Sequence, residues 1–115
     1  MFQIRKEQMQ AFDAHMMRKY EDRVIRKLTR TFPDQFERGD EEATRPFVQA
    51  GIRKAGQYGI TEDDDVERFI LVLAERGMDF EKAPGMDECR EILEDKELPA
   101  DAKVALVCRE LPPAF

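Results

Sequence analysis

Apolar residues in the first quarter of the chain recur in steps of three and four. The stripe consists of Met9, Phe12, Met16, Tyr20, Val24, Leu28 and Phe32. This spacing places the side chains on one face of an α-helix. We predict a helix from about Arg5 to Thr31, ended by Pro33, because the residue before a proline avoids the α conformation. At 1.5 Å per residue it would be roughly 40 Å long, about as long as the whole domain is wide.

The second predicted helix has two possible starts, Glu41 and Arg45, and ends near Tyr58. Pro46 fits only the first turn of a regular helix, so an upstream start would place it where a backbone hydrogen bond is lost. The helix also contains Gly51 and Gly56. Glycine weakens a helix interior, so these two positions predict the close approach of another helix.

The third helix is predicted to start at Thr61, with Thr61 and Asp64 forming an approximate capping box. The run Asp63-Asp64-Asp65 suits the positive end of the helix dipole. The segment that follows is apolar almost all round, with Val66, Phe69, Ile70, Leu71, Val72 and Leu73. We therefore expect this helix to be the most buried element, ending at Gly77.

Two shorter helices complete the predicted fold, one from Met86 to Asp95 and one from Leu98 or Pro99 to the Pro112-Pro113 pair. Between the third and fourth helices, Phe80 is expected to enter the core. No segment shows the sustained alternation that is typical of a half-buried strand. The sequence predicts an all-α fold of about five helices in a single domain over residues 1–115, led by a long amphipathic helix.

Charge is distributed unevenly along the chain. Residues 1–30 carry a net charge of +4, residues 31–60 of −1 and residues 61–115 of −9, within a total of −6. An acidic protein is a poor ligand for nucleic acid, whose phosphates need clustered cations. The asymmetry has two interpretations: a basic first helix that lies on an acidic remainder, or one end of the molecule offered to a partner.

Residues with catalytic or metal-binding potential are few. The chain has no serine, its only histidine is His15, and no nucleophile lies near a base in the sequence. Asp63-Asp64-Asp65 lacks the alternating spacing of a calcium loop, and we expect it to serve the helix start. We therefore expect no catalytic residue, no metal and no cofactor.

The cysteines and the hydropathy favour a cytoplasmic protein. Cys89 and Cys108 lie in helical patterns without metal-ligand spacing, and we expect two buried, reduced thiols, with a disulfide as the lesser alternative. No apolar run approaches the roughly 20 residues of a membrane-spanning helix, and no secretory signal is evident. We expect no membrane partner.

The N-terminal part of the first helix is the candidate binding surface. Met9, Phe12 and Met16 belong to a stripe that extends beyond what four shorter helices are expected to cover; the alternative is that the fourth and fifth helices fold back over this end. Methionine-rich surfaces suit adaptable binding because the thioether can repack. Arg23 and Arg26 belong to a cationic face with Arg18, Lys27 and Arg30. That face is interpreted as solvated or internally paired, or alternatively as a docking face for a partner protein.

Several short segments carry a resemblance to a known group. They are Ile4-x-x-Glu-Gln8, Tyr20-x-x-Arg23, Leu28-Thr-Arg-Thr-Phe-Pro33, Val48-Gln-Ala-Gly-Ile52, Ala55-Gly-Gln-Tyr-Gly-Ile60, Val66-Glu-Arg-Phe69 and Gly77-Met-Asp-Phe80. Over residues 4–95 the chain resembles small helical proteins encoded beside type VI secretion spike and effector genes. The segments are packing and capping motifs, so the resemblance transfers no catalytic residue. It implies an accessory, adaptor or immunity-like role.

The leading functional hypothesis is a non-enzymatic protein-binding adaptor of a type VI secretion or effector system. Its partner would be a secretion component, an effector or a toxin, or a second copy of the chain. The alternative is an immunity protein that neutralises a toxin by direct binding, for which the acidic residues 61–115 provide the motivation.

Overall fold

The helical periodicity of the sequence corresponds to five α-helices in the computed structural model, which describes residues 14–36 and 40–111. They are α1 (Ala14–Thr31), α2 (Glu41–Gln57), α3 (Asp63–Arg76), α4 (Asp87–Glu94) and α5 (Ala100–Glu110), with a 3₁₀ turn at Phe80–Lys82. The described residues contain no strand, and the all-α prediction is confirmed. The predicted extension of the first helix toward Arg5 lies outside these residues. None of the described helices combines the length and apolarity needed to cross a membrane.

Helix α3 is the central element, as its nearly all-round apolar pattern predicts. More than half of its residues are buried: Asp63, Asp65, Val66, Phe69, Ile70, Val72, Leu73 and Ala74. Its neighbours are α1, α2 and α5. The ring of Phe69 lies between those of Tyr58 and Phe80, with centroid distances of 6.4 and 6.5 Å. Phe80 is buried, so the prediction that it enters the core is confirmed.

Helix α1 buries the predicted stripe from Tyr20 onward, and Val24, Ile25 and Leu28 are fully enclosed. The hydroxyl of Tyr20 donates a hydrogen bond to the backbone oxygen of Asp63 at 2.8 Å. This bond joins the middle of α1 to the first turn of α3. It places the basic outer face of α1 beside the acidic start of α3.

Helices α2 and α3 approach most closely at Gly51. A Cβ atom at this position would lie 2.7 Å from Cγ1 of Ile70, so only glycine permits the observed spacing. The prediction of a close helix contact is confirmed at Gly51 and wrong at Gly56, where a Cβ atom would meet nothing within 4 Å. Gly56 is exposed because it lies on the opposite side of α2.

The structure selects one of the two predicted starts of α2 and corrects the predicted start of α3. Helix α2 begins at the upstream alternative, Glu41, with Pro46 inside it. The buried guanidinium of Arg45 forms ion pairs within this first part of the helix and with α1, which offsets the hydrogen bond lost at the proline. The Thr61–Asp64 capping box is wrong: Glu62 is the residue before α3, and no side chain caps the helix.

The α4–α5 pair is attached to the end of α2 through a buried lysine. Nζ of Lys103 donates hydrogen bonds to the backbone oxygens of Tyr58, at 2.8 Å, and Leu93, at 2.9 Å. These oxygens lie at the C-terminal ends of α2 and α4, where helix carbonyls lack intrahelical partners and the dipole favours a cation. One side chain therefore fixes the position of α4 and α5 relative to the rest of the core.

We predict opposite effects for alanine at the two glycines of α2. Gly51→Ala should lower the free energy of unfolding by about 1–2 kcal/mol, because overpacking against Ile70 exceeds the gain in helix propensity. Gly56→Ala should raise it by up to about 1 kcal/mol, since the new methyl group meets open space. Urea unfolding of the two variants measures both values. Equal stabilisation by the two substitutions would contradict the described α2–α3 contact.

We predict that Lys103→Met lowers the free energy of unfolding by at least about 2 kcal/mol, because two buried carbonyls lose their partner. Lys96→Met is the matched control: Lys96 is exposed, so its change should stay within about 0.5 kcal/mol. Thermal and urea unfolding of both variants test this pair. Similar stability of Lys103→Met and the unmodified protein would show that the two helix ends do not depend on the ammonium group.

Candidate protein-binding surface

The five residues predicted to form a binding surface on the first helix are not all in the described part of the chain. Met9 and Phe12 lie outside it. Met16 is 49% exposed, which is unusual for a large apolar residue, and Arg26 is exposed. Arg23 instead faces α3. Helix α1 therefore presents Met16 and Arg26 to solvent, whereas Arg23 belongs to an internal contact.

The contact of Arg23 illustrates how the cations of α1 meet the acids of α3. Its guanidinium nitrogens lie 3.7 Å from a carboxylate oxygen of Asp63 and 3.6 Å from those of Asp64 and Glu67. The guanidinium also lies over the ring of Tyr20, 5.1 Å from its centroid, in cation–π geometry. Of the two interpretations of the charge asymmetry, this contact favours a basic first helix lying on acidic partners.

A second ion-pair cluster joins α1 to α2 around the buried Arg45. Its guanidinium donates to Glu21 at 2.8 Å, to Asp22 at 2.6 Å and to Glu42 at 3.2 Å. Gln49 adds a hydrogen bond to the other carboxylate oxygen of Glu21. Buried charges are tolerated only when paired, and here each one has a partner. This cluster is structural and has no group left over for a ligand.

A third cluster surrounds Glu81, which is almost completely buried in the 3₁₀ turn. Nζ of Lys54 donates to Glu81 at 2.7 Å and to the backbone oxygen of Met78, and the hydroxyl of Tyr58 donates to the second carboxylate oxygen. Burial opposes the charge of Glu81, but these hydrogen bonds outweigh burial and hold its pKa below the ordinary value. Sequence reasoning missed this cluster because Glu81 lies 27 residues from Lys54 and 23 from Tyr58.

The carboxylates of α4, of α5 and of the connection between them differ from those of the three clusters. Seven of them are exposed and have no ion-pair partner among residues 14–36 and 40–111; we call them the acidic surface. They are Glu88, Glu91, Glu94, Asp95, Glu97, Asp101 and Glu110. The carboxyl group of Glu110 is close enough to raise the pKa of Glu88 by hydrogen bonding and repulsion. These carboxylates outnumber the exposed cations of the same segment that have no ion pair to a described residue, Lys96 and Arg109, so the segment presents an excess of negative charge.

An acidic cavity of about 520 Å³ lies between the starts of α3 and α5. Four carboxylates line it, together with Pro99 and Ala100: Glu62, Asp64, Asp65 and Asp101. Asp65 is only 9% exposed, yet its carboxylate has no hydrogen bond or ion pair to any described residue. Burial and the neighbouring charge of Asp101 raise its pKa. The sequence predicted that the aspartate run begins a helix. It did not predict that Asp101 lies beside the run, because that depends on how α5 packs on α3.

The remaining chemistry of the described residues is limited. No three of their histidine, cysteine, aspartate or glutamate side chains are arranged to hold a metal ion. Both cysteines are free thiols, with Cys89 buried and Cys108 exposed. The expectation of a buried Cys108 is wrong because α5 turns Val104 and Val107 inward, and the next residue lies on the solvent side of the helix.

Comparison with known proteins identified no relative of this chain. A scan against models of protein families, a search of curated proteins and a search of solved structures each found no match. The candidate surface therefore rests on the position, burial and pairing of the side chains themselves.

We predict that Asp65→Asn stabilises the fold near pH 7. The pKa of Asp65 is higher in the folded than in the unfolded chain, so its charged form opposes folding above that pKa. As the pH falls through the folded pKa, the carboxyl group takes up a proton and the difference between variant and parent disappears. Urea unfolding at about pH 7 and about pH 3 measures this dependence.

Asp64→Asn provides the matched control one residue earlier on α3. Asp64 is exposed and lies near Arg23, so its neutralisation removes an attraction and leaves stability unchanged or slightly lower. Destabilisation by Asp65→Asn near pH 7 would show that favourable interactions of the carboxylate, such as with the positive end of the helix dipole, outweigh the cost of its burial.

Proposed function

We propose that this chain is a non-enzymatic protein-binding module whose acidic surface docks on a basic protein. One observation carries the proposal: the acidic surface forms no ion pair with a described residue, whereas the ions at the α1–α2 and α1–α3 contacts neutralise one another. A protein that already pairs its buried charges gains nothing structural from seven such carboxylates on α4, α5 and the connection between them. A cationic partner would relieve their mutual repulsion.

The sign of the charge favours a protein as the partner over other macromolecules. Nucleic acids and the anionic headgroups of membranes carry negative charge and would be repelled by this surface. A basic protein would be attracted over about one Debye length, roughly 8–10 Å at physiological salt. Such attraction mainly accelerates association and selects the partner, so the complex should weaken as salt is added.

The setting that we propose is a bacterial type VI secretion or effector system, in which the chain acts as an adaptor. Its support is the resemblance of residues 4–95 to helical proteins encoded beside spike and effector genes. The acidic surface also favours the alternative role, an immunity protein that covers a basic toxin. The two roles share the surface and differ in what its occupation does to the partner.

We predict that reversing charge on the acidic surface removes the partner without unfolding the protein. Glu91→Lys combined with Glu97→Lys should reduce the amount of partner retained by the tagged chain at least about tenfold, because attraction becomes repulsion. The proteins retained from cells that express the chain natively are identified by cross-linking and mass spectrometry. Both residues are exposed, so the melting temperature should stay near that of the parent.

The matched control combines Asp34→Lys with Glu41→Lys, which changes the net charge equally at exposed positions far from α4 and α5 in the sequence. It should retain the partner. Equal loss in the two double variants would mean that net charge alone governs capture, and the proposal would fail. A retained toxin that loses its activity on binding supports the immunity role, and a retained spike or effector component supports the adaptor role.

A further inference from the structure

The acidic cavity between the starts of α3 and α5 has an unusual member. Charged side chains are rarely buried without a partner, because an unpaired buried charge is energetically unfavourable. Asp65 is about nine-tenths covered by its neighbours, and its carboxylate oxygens reach solvent at this cavity. No described residue donates a hydrogen bond to it or forms an ion pair with it. Its nearest charged neighbours include Asp101, which has the same sign.

The other carboxylates of the cavity do not relieve this situation. Asp64 lies 3.6 Å from Arg23, whose guanidinium also lies near Asp63 and Glu67. Arg68 attracts Asp65 electrostatically, but it is exposed and forms no ion pair with it. No lysine or arginine among residues 14–36 and 40–111 lines the cavity. The space in front of Asp65 and Asp101 is therefore negative, enclosed on one side and supplied with acceptors to which no described residue donates.

We infer that this cavity receives a lysine or arginine side chain of the basic partner, with its cationic head between Asp65 and Asp101. The inference rests on the proposed function and specifies where the partner inserts. An ammonium or guanidinium group supplies the donors that the carboxylates lack. Pro99 and Ala100 form an apolar wall along which the aliphatic stem of such a side chain can pack.

The volume of the cavity and the residues that line it fit a side chain better than a metal ion. The volume of about 520 Å³ admits a long side chain together with part of its backbone. Within the described part of the chain, these acids are not arranged as a metal-binding group. The cavity lies where Asp101 joins the acidic surface, so a partner held there places further cations over α4 and α5.

The energetics of Asp65 also fit a binding residue. The charged carboxylate destabilises the free protein. In a complex with a cation the charge is neutralised, so the complex does not carry this unfavourable contribution. Binding sites commonly retain such groups at the expense of stability. If an acid at the start of a helix were purely structural, its neutralisation would instead lower the stability of the protein.

Peptide titration followed by NMR tests this site without knowledge of the partner. The probe is a short acetylated and amidated peptide with two arginines among glycines and serines, added to the ¹⁵N-labelled full chain. We expect it to shift the amide signals of Thr61, Asp65, Ala100 and Asp101. The same peptide with citrulline in place of arginine has the same shape without the charge, and it should bind at least about tenfold more weakly.

Two variants locate the binding. Asp65→Asn should bind the arginine peptide at least about tenfold more weakly while melting no lower than the parent near pH 7, so that lost binding cannot be ascribed to unfolding. Asp34→Asn removes an exposed carboxylate that belongs neither to the cavity nor to the acidic surface, and its affinity should stay within about twofold. Stronger binding of free spermidine than of the peptide would overturn the inference in favour of a small polyamine site.

Failure of this inference and failure of the proposed function give different results. If the arginine peptide shifts only amides of α4, and Asp65→Asn binds it as tightly as the parent, the cavity is not the insertion site but docking on the acidic surface stands. If the Glu91→Lys, Glu97→Lys variant retains the native partner, docking on the acidic surface fails. Equal binding of the citrulline and arginine peptides would overturn the inference directly.

Discussion

The attachment of the α4–α5 pair depends on one ammonium group, that of Lys103. The C-terminal ends of α2 and α4 meet at this side chain, and each supplies a carbonyl oxygen that would otherwise be buried without a donor. The lysine thereby fixes the α4–α5 pair on the body formed by α1, α2 and α3. Asp101 belongs to α5 and Asp65 to α3, so the acidic cavity exists only where this helix pair is held against α3.

Local patterns in the sequence are sufficient for the helical framework. The spacing of Tyr20, Val24 and Leu28 on α1, and the all-round apolar character of α3, each depend on neighbours within one or two turns. The contact at Gly51 was also predictable, because a glycine in a helix interior needs a packing reason. Gly56 shows the limit of this reasoning: the sequence does not indicate which side of a helix faces a neighbour.

Much less of the candidate surface could be predicted, because pairing is a tertiary property. The sequence shows that residues 61–115 are acidic, but not that Asp63 and Asp64 lie near Arg23 while Glu91 and Glu97 have no ion-pair partner in the described part of the chain. The burial of Asp65 likewise depends on where α5 packs. Electrostatic sites arise from residues distant in the chain, and periodicity contains no information about them.

The two cysteines can report how often the α4–α5 pair separates from the rest of the fold. The thiol of Cys108 is accessible in the native state, whereas Cys89 is enclosed where α4 packs, and burial raises its pKa. A thiol reagent therefore modifies Cys108 at once and reaches Cys89 only when the α4–α5 pair detaches or the whole chain unfolds. A slow labelling rate faster than the rate expected from global unfolding, measured by denaturant, would show that the helix pair leaves the body on its own.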